Sequence, residues 1–173
     1  MITVCLHGAE STGKSVLAAK LAAEFDCPWV PEYGRTYCEK RGTDLTMADL
    51  LAIAAGQADA VTAAATSQPD LLLLDTDQLM TAAWAQMLFE LVPAALLEYP
   101  KADLYLLFSP DVPWIGDGTR LFGQDAQRRR FADLAQKVLE QAQVPFQRID
   151  GDWQQRELAA RAAIEQLRLG APR

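Results

Sequence analysis

One histidine, His7, is all that this chain of 173 residues contains. That scarcity excludes histidine-rich metal sites and nucleotidyl-transfer motifs that need two histidines. A Ser-His-Asp or Cys-His mechanism would have to run through His7, with a nucleophile and an orienting acid converging there. His7 reads instead as the last residue of a strand. Cysteine is scarce too. Cys5, Cys27 and Cys38 lack metal-ligand spacing, and their odd number offers no disulfide framework, which fits a reducing cytosol. Positive charge is in deficit. The formal net charge of −7 argues against broad electrostatic binding to DNA or RNA. No apolar run is long enough for a membrane span. Residues 79–97 come nearest, but Gln86, Glu90 and Pro93 interrupt them, which predicts a buried helix pair. The N-terminal apolar run is too short for a signal peptide, and the expected location is the cytoplasm.

What is present is an ordinary globular composition, 50% hydrophobic, with chain enough for one domain over 1–173. Short apolar runs alternate with helix-forming stretches. Strands are expected at Ile2–His7, Cys27–Pro31, Leu71–Leu74, Leu104–Phe108 and Phe146–Ile149. Helices are expected after the first glycine loop, over Tyr33–Arg41, from Met47 to about Thr66, from Gln78 to Leu91, over Ala126–Gln143 and over Trp153–Leu169. Thr46-Met47-Ala48-Asp49 reads as a capping box with Asp in place of the usual Glu. This alternation predicts an α/β fold, a five-stranded parallel sheet with helices on both faces. In such sheets ligands gather beyond the strand C-terminal ends, near the switch in strand order.

Gly8 to Ser15 read G-A-E-S-T-G-K-S, the full phosphate-binding pattern G-x-x-x-x-G-K-[ST], set between a strand and a helix as that motif requires. Gly8 and Gly13 let the backbone curl so that successive N–H groups face phosphate oxygens, and the following helix contributes its positive end. The candidate ATP ligands are Gly8, Glu10, Ser11, Thr12, Gly13, Lys14 and Ser15. Lys14 is placed to reach the β- and γ-phosphates and the Ser15 hydroxyl to hold Mg²⁺. Asp75, after four leucines, is the acidic strand end expected opposite Ser15 as the second metal residue.

Other strand ends carry candidate chemistry. Glu32 is a candidate base for an attacking hydroxyl, with an Asp of the 75–77 triplet left open for that role. Arg35 is placed to hold a transferring phosphate or the base carboxylate. Asp77 is a candidate substrate contact, against the competing reading of the triplet as helix caps. Residues 111–130 read as a short lid, with Arg120 and Arg128 delivered to the phosphoryl group. Arg129 and Arg130 are left to pair with Asp125 or Asp133 along their helix. Among Trp29, Tyr33, Tyr37, Trp84 and Trp114, any is suited to stack on a flat heterocycle. Tyr33, Trp84 and Trp114 are the substrate-side candidates.

Together these residues resemble the ribosylnicotinamide kinase domain of the bacterial NAD-biosynthesis regulators. The matching pieces are the phosphate loop, E-Y-G-R at Glu32 to Arg35, Gly56-Gln57, D-T-D at Asp75 to Asp77, and Trp114 followed by D-G-x-R at Asp117 to Arg120. Their order and spacing run over nearly the whole chain. The resemblance implies a nucleoside/nucleotide kinase-like fold and ATP-dependent phosphorylation of the 5′-hydroxyl of nicotinamide riboside. The cofactors it implies are ATP and Mg²⁺, the partner a small-molecule nucleoside, with no nucleic acid and no membrane, and a homo-oligomer left open. It strengthens Glu32 as base. Two departures accompany it. The DNA-binding and adenylyltransferase parts of larger members have neither length nor histidines here, so a stand-alone kinase is expected. The family's two ring-stacking aromatics are replaced by Pro31 and alanines near Ala60, leaving Trp29, Tyr37 or Trp84 as substitutes. The rival readings are a kinase of another small metabolite and a regulatory ATPase. A GTPase switch is excluded because the N/T-K-x-D guanine motif is missing, and a ring-forming ATPase module needs a longer chain.

Overall fold

Apolar strands and helices alternate along the chain and wind into one sheet covered on both faces. The computed structural model describes residues 1–116, 121 and 123–170. In chain order the elements are β1 Ile2–Gly8, α1 Lys14–Glu24, β2 Trp29–Val30, α2 Tyr33–Arg41, α3 Met47–Ala65, β3 Leu71–Asp75, α4 Gln78–Phe89, α5 Ala94–Glu98, β4 Leu104–Phe108, α6 Asp125–Gln141, β5 Phe146–Ile149 and α7 Trp153–Gly170. β2 is shorter than expected, because Pro28 and Pro31 on either side cannot donate to a ladder. The capping box forms: the Thr46 hydroxyl accepts from the Asp49 amide and the Asp49 carboxylate accepts from the Thr46 amide. Residues 79–97 divide between α4 and α5, and no described helix is long and apolar enough to cross a membrane.

The five strands run in the order β2-β3-β1-β4-β5, every pair parallel. β2 and β3 lie on one side of β1, and β4 and β5 on the other. The order therefore switches beside β1, and a crevice opens at its C-terminal end. Alternate strand residues feed opposite layers. Cys5, Leu72, Leu74, Tyr105 and Leu107 pack with α3, α4 and α6. Val4, Leu6, Leu71, Leu73, Leu106 and Phe108 pack with α1 and α7. The four leucines of β3 are all buried, each contributing about 1.5–3 kcal/mol by leaving water. A strand held this firmly on both faces fixes the position of the acid that ends it.

Candidate active site

The phosphate loop joins β1 to α1 in the crevice. Gly8 has φ 127° and Gly13 φ 86°, both in the region that favours glycine. A Cβ on Gly8 would lie 2.5 Å from the Phe108 carbonyl oxygen of β4, so side-chain bulk is excluded as well. The Thr12 hydroxyl donates to the Ala9 carbonyl at 2.8 Å. Lys14 Nζ is buried against the loop, donating to Gly8 O at 2.9 Å and Ala9 O at 2.8 Å. The N-terminus of α1, capped by Gly13, receives no side-chain hydrogen bond. Its positive end is thus left to a bound anion.

Asp75 ends β3 beside this loop, and its Oδ1 is buried without a hydrogen-bond partner. Burial raises its pKa, against the pull of the Lys14 charge, a hydrogen bond from Ser15 and the Arg35 charge. An orphaned buried carboxylate oxygen next to a hydroxyl suits a hard divalent cation. The described residues hold no group of three or more His, Cys, Asp or Glu able to bind a metal. Ser15 and Asp75 are the residues that would hold such a cation.

Glu32 stands at the start of α2, its side chain 26% exposed and 3.9 Å from the Arg35 guanidinium. Burial and the negative charge of Asp75 push its pKa up to about 7, with Lys14 and Arg35 opposing. The pKa of His7 is lowered to about 3 by burial, so the histidine stays neutral near pH 7. Asp77 is the residue of the triplet that caps α4, accepting from Leu79 N at 2.9 Å, while its other oxygen accepts from the Tyr105 hydroxyl. It reaches the cavity wall, but both oxygens are already engaged. Asp77 is thus already used in the fold, whereas Asp75 keeps an oxygen without a hydrogen-bond partner.

A cavity of about 360 Å³ runs from the phosphate loop past Glu32 and Arg35 to an apolar wall that includes Leu50, Ile53, Met80, Trp84 and Phe131. Trp84 and Phe131 pack ring to ring, centroids 4.7 Å apart. The structure thus brings together Gly8, Glu10, Ser11, Thr12, Gly13, Lys14, Ser15, Glu32, Arg35, Asp77 and Trp84 on one surface, with Asp75 behind it.

Other candidates are placed elsewhere. Tyr33 turns its ring onto Gly56 of α3, where an added Cβ would lie 2.3 Å away, and not into the cavity. Tyr37 bonds Asp49 at 2.6 Å, and Trp29 packs on the α1–α7 side of the sheet. Trp114 lies over Gly116 and Gly123. Arg128 shares the inner face of α6 with Phe131 and Ala135. It is buried, donates to Val112 O at 3.0 Å and does not line the cavity, so it holds down the segment after β4. Arg130 pairs with Glu90 at 3.4 Å, the residue that follows α4, instead of with an acid of its own helix. Arg120 and the D-G-x-R motif lie outside the described residues.

One contributor escapes the sequence reading, and a second, Gln57, enters it only through the Gly56-Gln57 match, without a role. Phe131 carries no motif. Gln57 is buried and spans two site segments, its Oε1 accepting from Tyr33 N at 2.7 Å and its Nε2 donating to Thr76 O at 3.3 Å. It links the start of α2, next to Glu32, to the end of β3, next to Asp75. The pairing Gly56-Gln57 follows: the glycine admits the Tyr33 ring and the glutamine holds its amide.

Known proteins resemble this chain in sequence and in fold. The family described as an AAA domain matches residues 3–156. The "Trifunctional NAD biosynthesis/regulator protein NadR" of Escherichia coli K12 is 33% identical over 156 residues, 86% of this chain and 38% of that protein. The protein of the same description from Salmonella typhimurium LT2 is 33% identical over 152 residues, 83% of this chain and 37% of that one. This chain therefore spans under two fifths of the length of these relatives. A crystal structure of NadR protein in complex with NR superposes with a TM-score of 0.80 at 22% identity, covering 99% of this chain and 52% of that one. Deoxyadenosine kinase from M. mycoides superposes at 0.67 with 11% identity, covering 95% and 100%.

Proposed function

This chain belongs to the AAA domain family, with the fold of phosphate-loop kinases, and we propose that it transfers the γ-phosphate of ATP to the 5′-hydroxyl of nicotinamide riboside, yielding nicotinamide mononucleotide. The observation that carries the reading is Glu32: a carboxylate with raised pKa, between the phosphate loop and an aromatic-lined cavity. The likeness to NadR, seen in a complex with NR, supports the choice of acceptor.

In this reading the acceptor hydroxyl lies between Glu32 and the γ-phosphorus. Its oxygen forms the new P–O bond, the bond from the γ-phosphorus to the bridging oxygen breaks, and ADP leaves. The hydroxyl proton passes to the Glu32 carboxylate. Lys14 leaves its loop carbonyls for the phosphates, and Arg35 steadies Glu32 or the moving phosphoryl group. Ser15 and Asp75 are the residues that would hold Mg²⁺, which supplies charge neutralisation on the β- and γ-oxygens. Positioning and electrostatics provide the catalysis, without a covalent enzyme intermediate. Lys14 and Arg35 are the cations lining the cavity among the described residues, Lys14 in the phosphate loop and Arg35 beside Glu32. The apolar end therefore favours a nucleoside over an acceptor that already carries phosphate.

The test is a panel of nucleosides and small alcohols with labelled ATP, followed by Glu32→Gln and a pH profile. Nicotinamide riboside should be the preferred acceptor. Glu32→Gln should lower kcat by about 10²–10⁴-fold with MgADP affinity held within about twofold. A base must be ionised to act. With Glu32 raised to about 7, kcat/KM should climb about tenfold per pH unit below that point and level off above it. Neutral His7 supplies no such limb. A limb that persists in Glu32→Gln would remove Glu32 as the base. Hydrolysis stimulated only by a protein partner, with every acceptor inert, would favour a regulatory ATPase instead.

A further inference from the structure

The phosphate loop is gripped from its β4–β5 side by residues that no motif announces. Arg156, in the first turn of α7, is 1% exposed and the bulkiest fully buried side chain among the described residues. Its Nε donates to Gly151 O at 2.8 Å, its Nη1 to Thr12 O at 3.3 Å, and its Nη2 to Ser109 O at 3.0 Å and to the Asp111 carboxylate. The other Asp111 oxygen accepts from Gly151 N at 2.8 Å. The rings of Phe108 and Trp153 flank the guanidinium, 5.9 and 5.8 Å from its carbon. Trp153 in turn presses on the loop: a Cβ on Gly13 would lie 2.5 Å from its Cζ3. Thr12 and Gly13, the two residues before Lys14, are thus both fixed from this side.

We propose that Arg156 is a positioning residue for the phosphoryl donor, setting Thr12 and Gly13 so that the loop amides and Lys14 meet the nucleotide. A buried guanidinium persists only where its charge is paired and its donors are used. Here those donors end on three carbonyls from three separate segments: the phosphate loop, the end of β4 and the turn before α7. The planar fork fixes the distances among them, which lysine cannot do with one point charge. Gly13 begins α1 at a positive φ, so a rotation of the Thr12 peptide would swing Lys14 and the amides beside it. The inference rests on reading Gly8–Ser15 as a nucleotide site and is independent of the acceptor.

The experiment measures MgADP binding by calorimetry and steady-state kinetics in Arg156→Gln, Arg156→Lys, Asp111→Asn and Ile164→Ala. Ile164 is buried on the same helix, away from the loop. Arg156→Gln should weaken MgADP and raise the KM for ATP about tenfold or more, since small misplacements of a site are costly. The acceptor KM should stay within about twofold. Arg156→Lys should recover only part of the loss. Ile164→Ala should lower the melting temperature without moving MgADP affinity. Equal MgADP affinity in Arg156→Gln and Ile164→Ala would overturn the proposal. If Arg156→Gln does not fold, Asp111→Asn decides: weaker MgADP binding supports the positioning role and unchanged binding overturns it. A wild-type protein that binds no MgADP would overturn the nucleotide reading and this inference together. A wild-type protein that binds MgADP but phosphorylates no nucleoside defeats only the acceptor assignment.

Discussion

The two ends of the cavity are built by different physics. At the phosphate end, the groups offered to a ligand are mostly backbone. Glycines at positive φ curl the loop, α1 offers its positive end, and Lys14 rests on the carbonyls of Gly8 and Ala9. At the acceptor end, side chains from α3, α4 and α6 form a wall whose only demands are volume and flatness. A backbone site tolerates few sequences, because curvature and close approach each require a particular residue. A side-chain wall tolerates many, because one apolar group can replace another of similar size. The first end therefore declares a chemistry, and the second declares only a class of shape.

If that contrast is right, the largest effect lies at the phosphate end. Lys14→Met should abolish most activity, lowering kcat/KM by about 10³-fold or more, the scale on which lost phosphoryl-group cations are felt. Its effect on acceptor binding measured without nucleotide should be small. Equal losses in both would mean that the two ends are not separable.

The same contrast explains what could be read from the sequence. The loop was legible because its spacing is a geometric necessity. So were the acid ending β3, the glutamate after β2 and the Thr46–Asp49 box, each fixed by local chemistry. Of the five candidate aromatics the sequence favours Tyr33, Trp84 and Trp114 for the substrate side, although nothing local says where a ring ends up. Alternation along the short β2 sends Trp29 to the α1–α7 side, the space over Gly56 captures Tyr33, and only Trp84 reaches the cavity. Arg128 looked like a lid cation, but helix periodicity places it beside Phe131 on the buried face of α6. Gln57, Phe131 and Arg156 act through partners distant in the chain. The reach of Arg156 to Thr12 spans 144 positions, beyond any motif.

The acceptor end should respond more gently. Trp84→Ala removes one face of the paired rings and leaves Phe131 in place. Stacking of a base on an aromatic is worth about 1–3 kcal/mol, so the acceptor KM should rise by about 5–150-fold. The KM for ATP should not change, and Trp84→Phe should restore most of the loss. A drop in kcat with an unchanged acceptor KM would instead place Trp84 in support of the chemistry.

The smallest effect tests whether the acceptor wall depends on the stability of its helix. α3 carries Leu50, Ile53 and Gln57 into the site, and its first turn is closed by Thr46 and Asp49. The Asp49 pKa is lowered to about 2 by hydrogen bonds from Thr46 and Tyr37. The stability this adds is therefore present above the ordinary carboxylate value and lost as pH falls through about 2. Thr46→Ala removes the cap at a cost of about 1 kcal/mol, which in a domain of this size lowers Tm by roughly 2–4 °C. Tyr37 still holds Asp49 from α2, at 2.6 Å, so the helix start frays without moving Leu50 or Ile53. Thermal melts should record the shift while both KM values stay within about twofold of wild type. A rise in the acceptor KM alone would show that the wall takes its shape from the cap as well as from packing, and the contrast between the two ends would then extend to the first turn of α3.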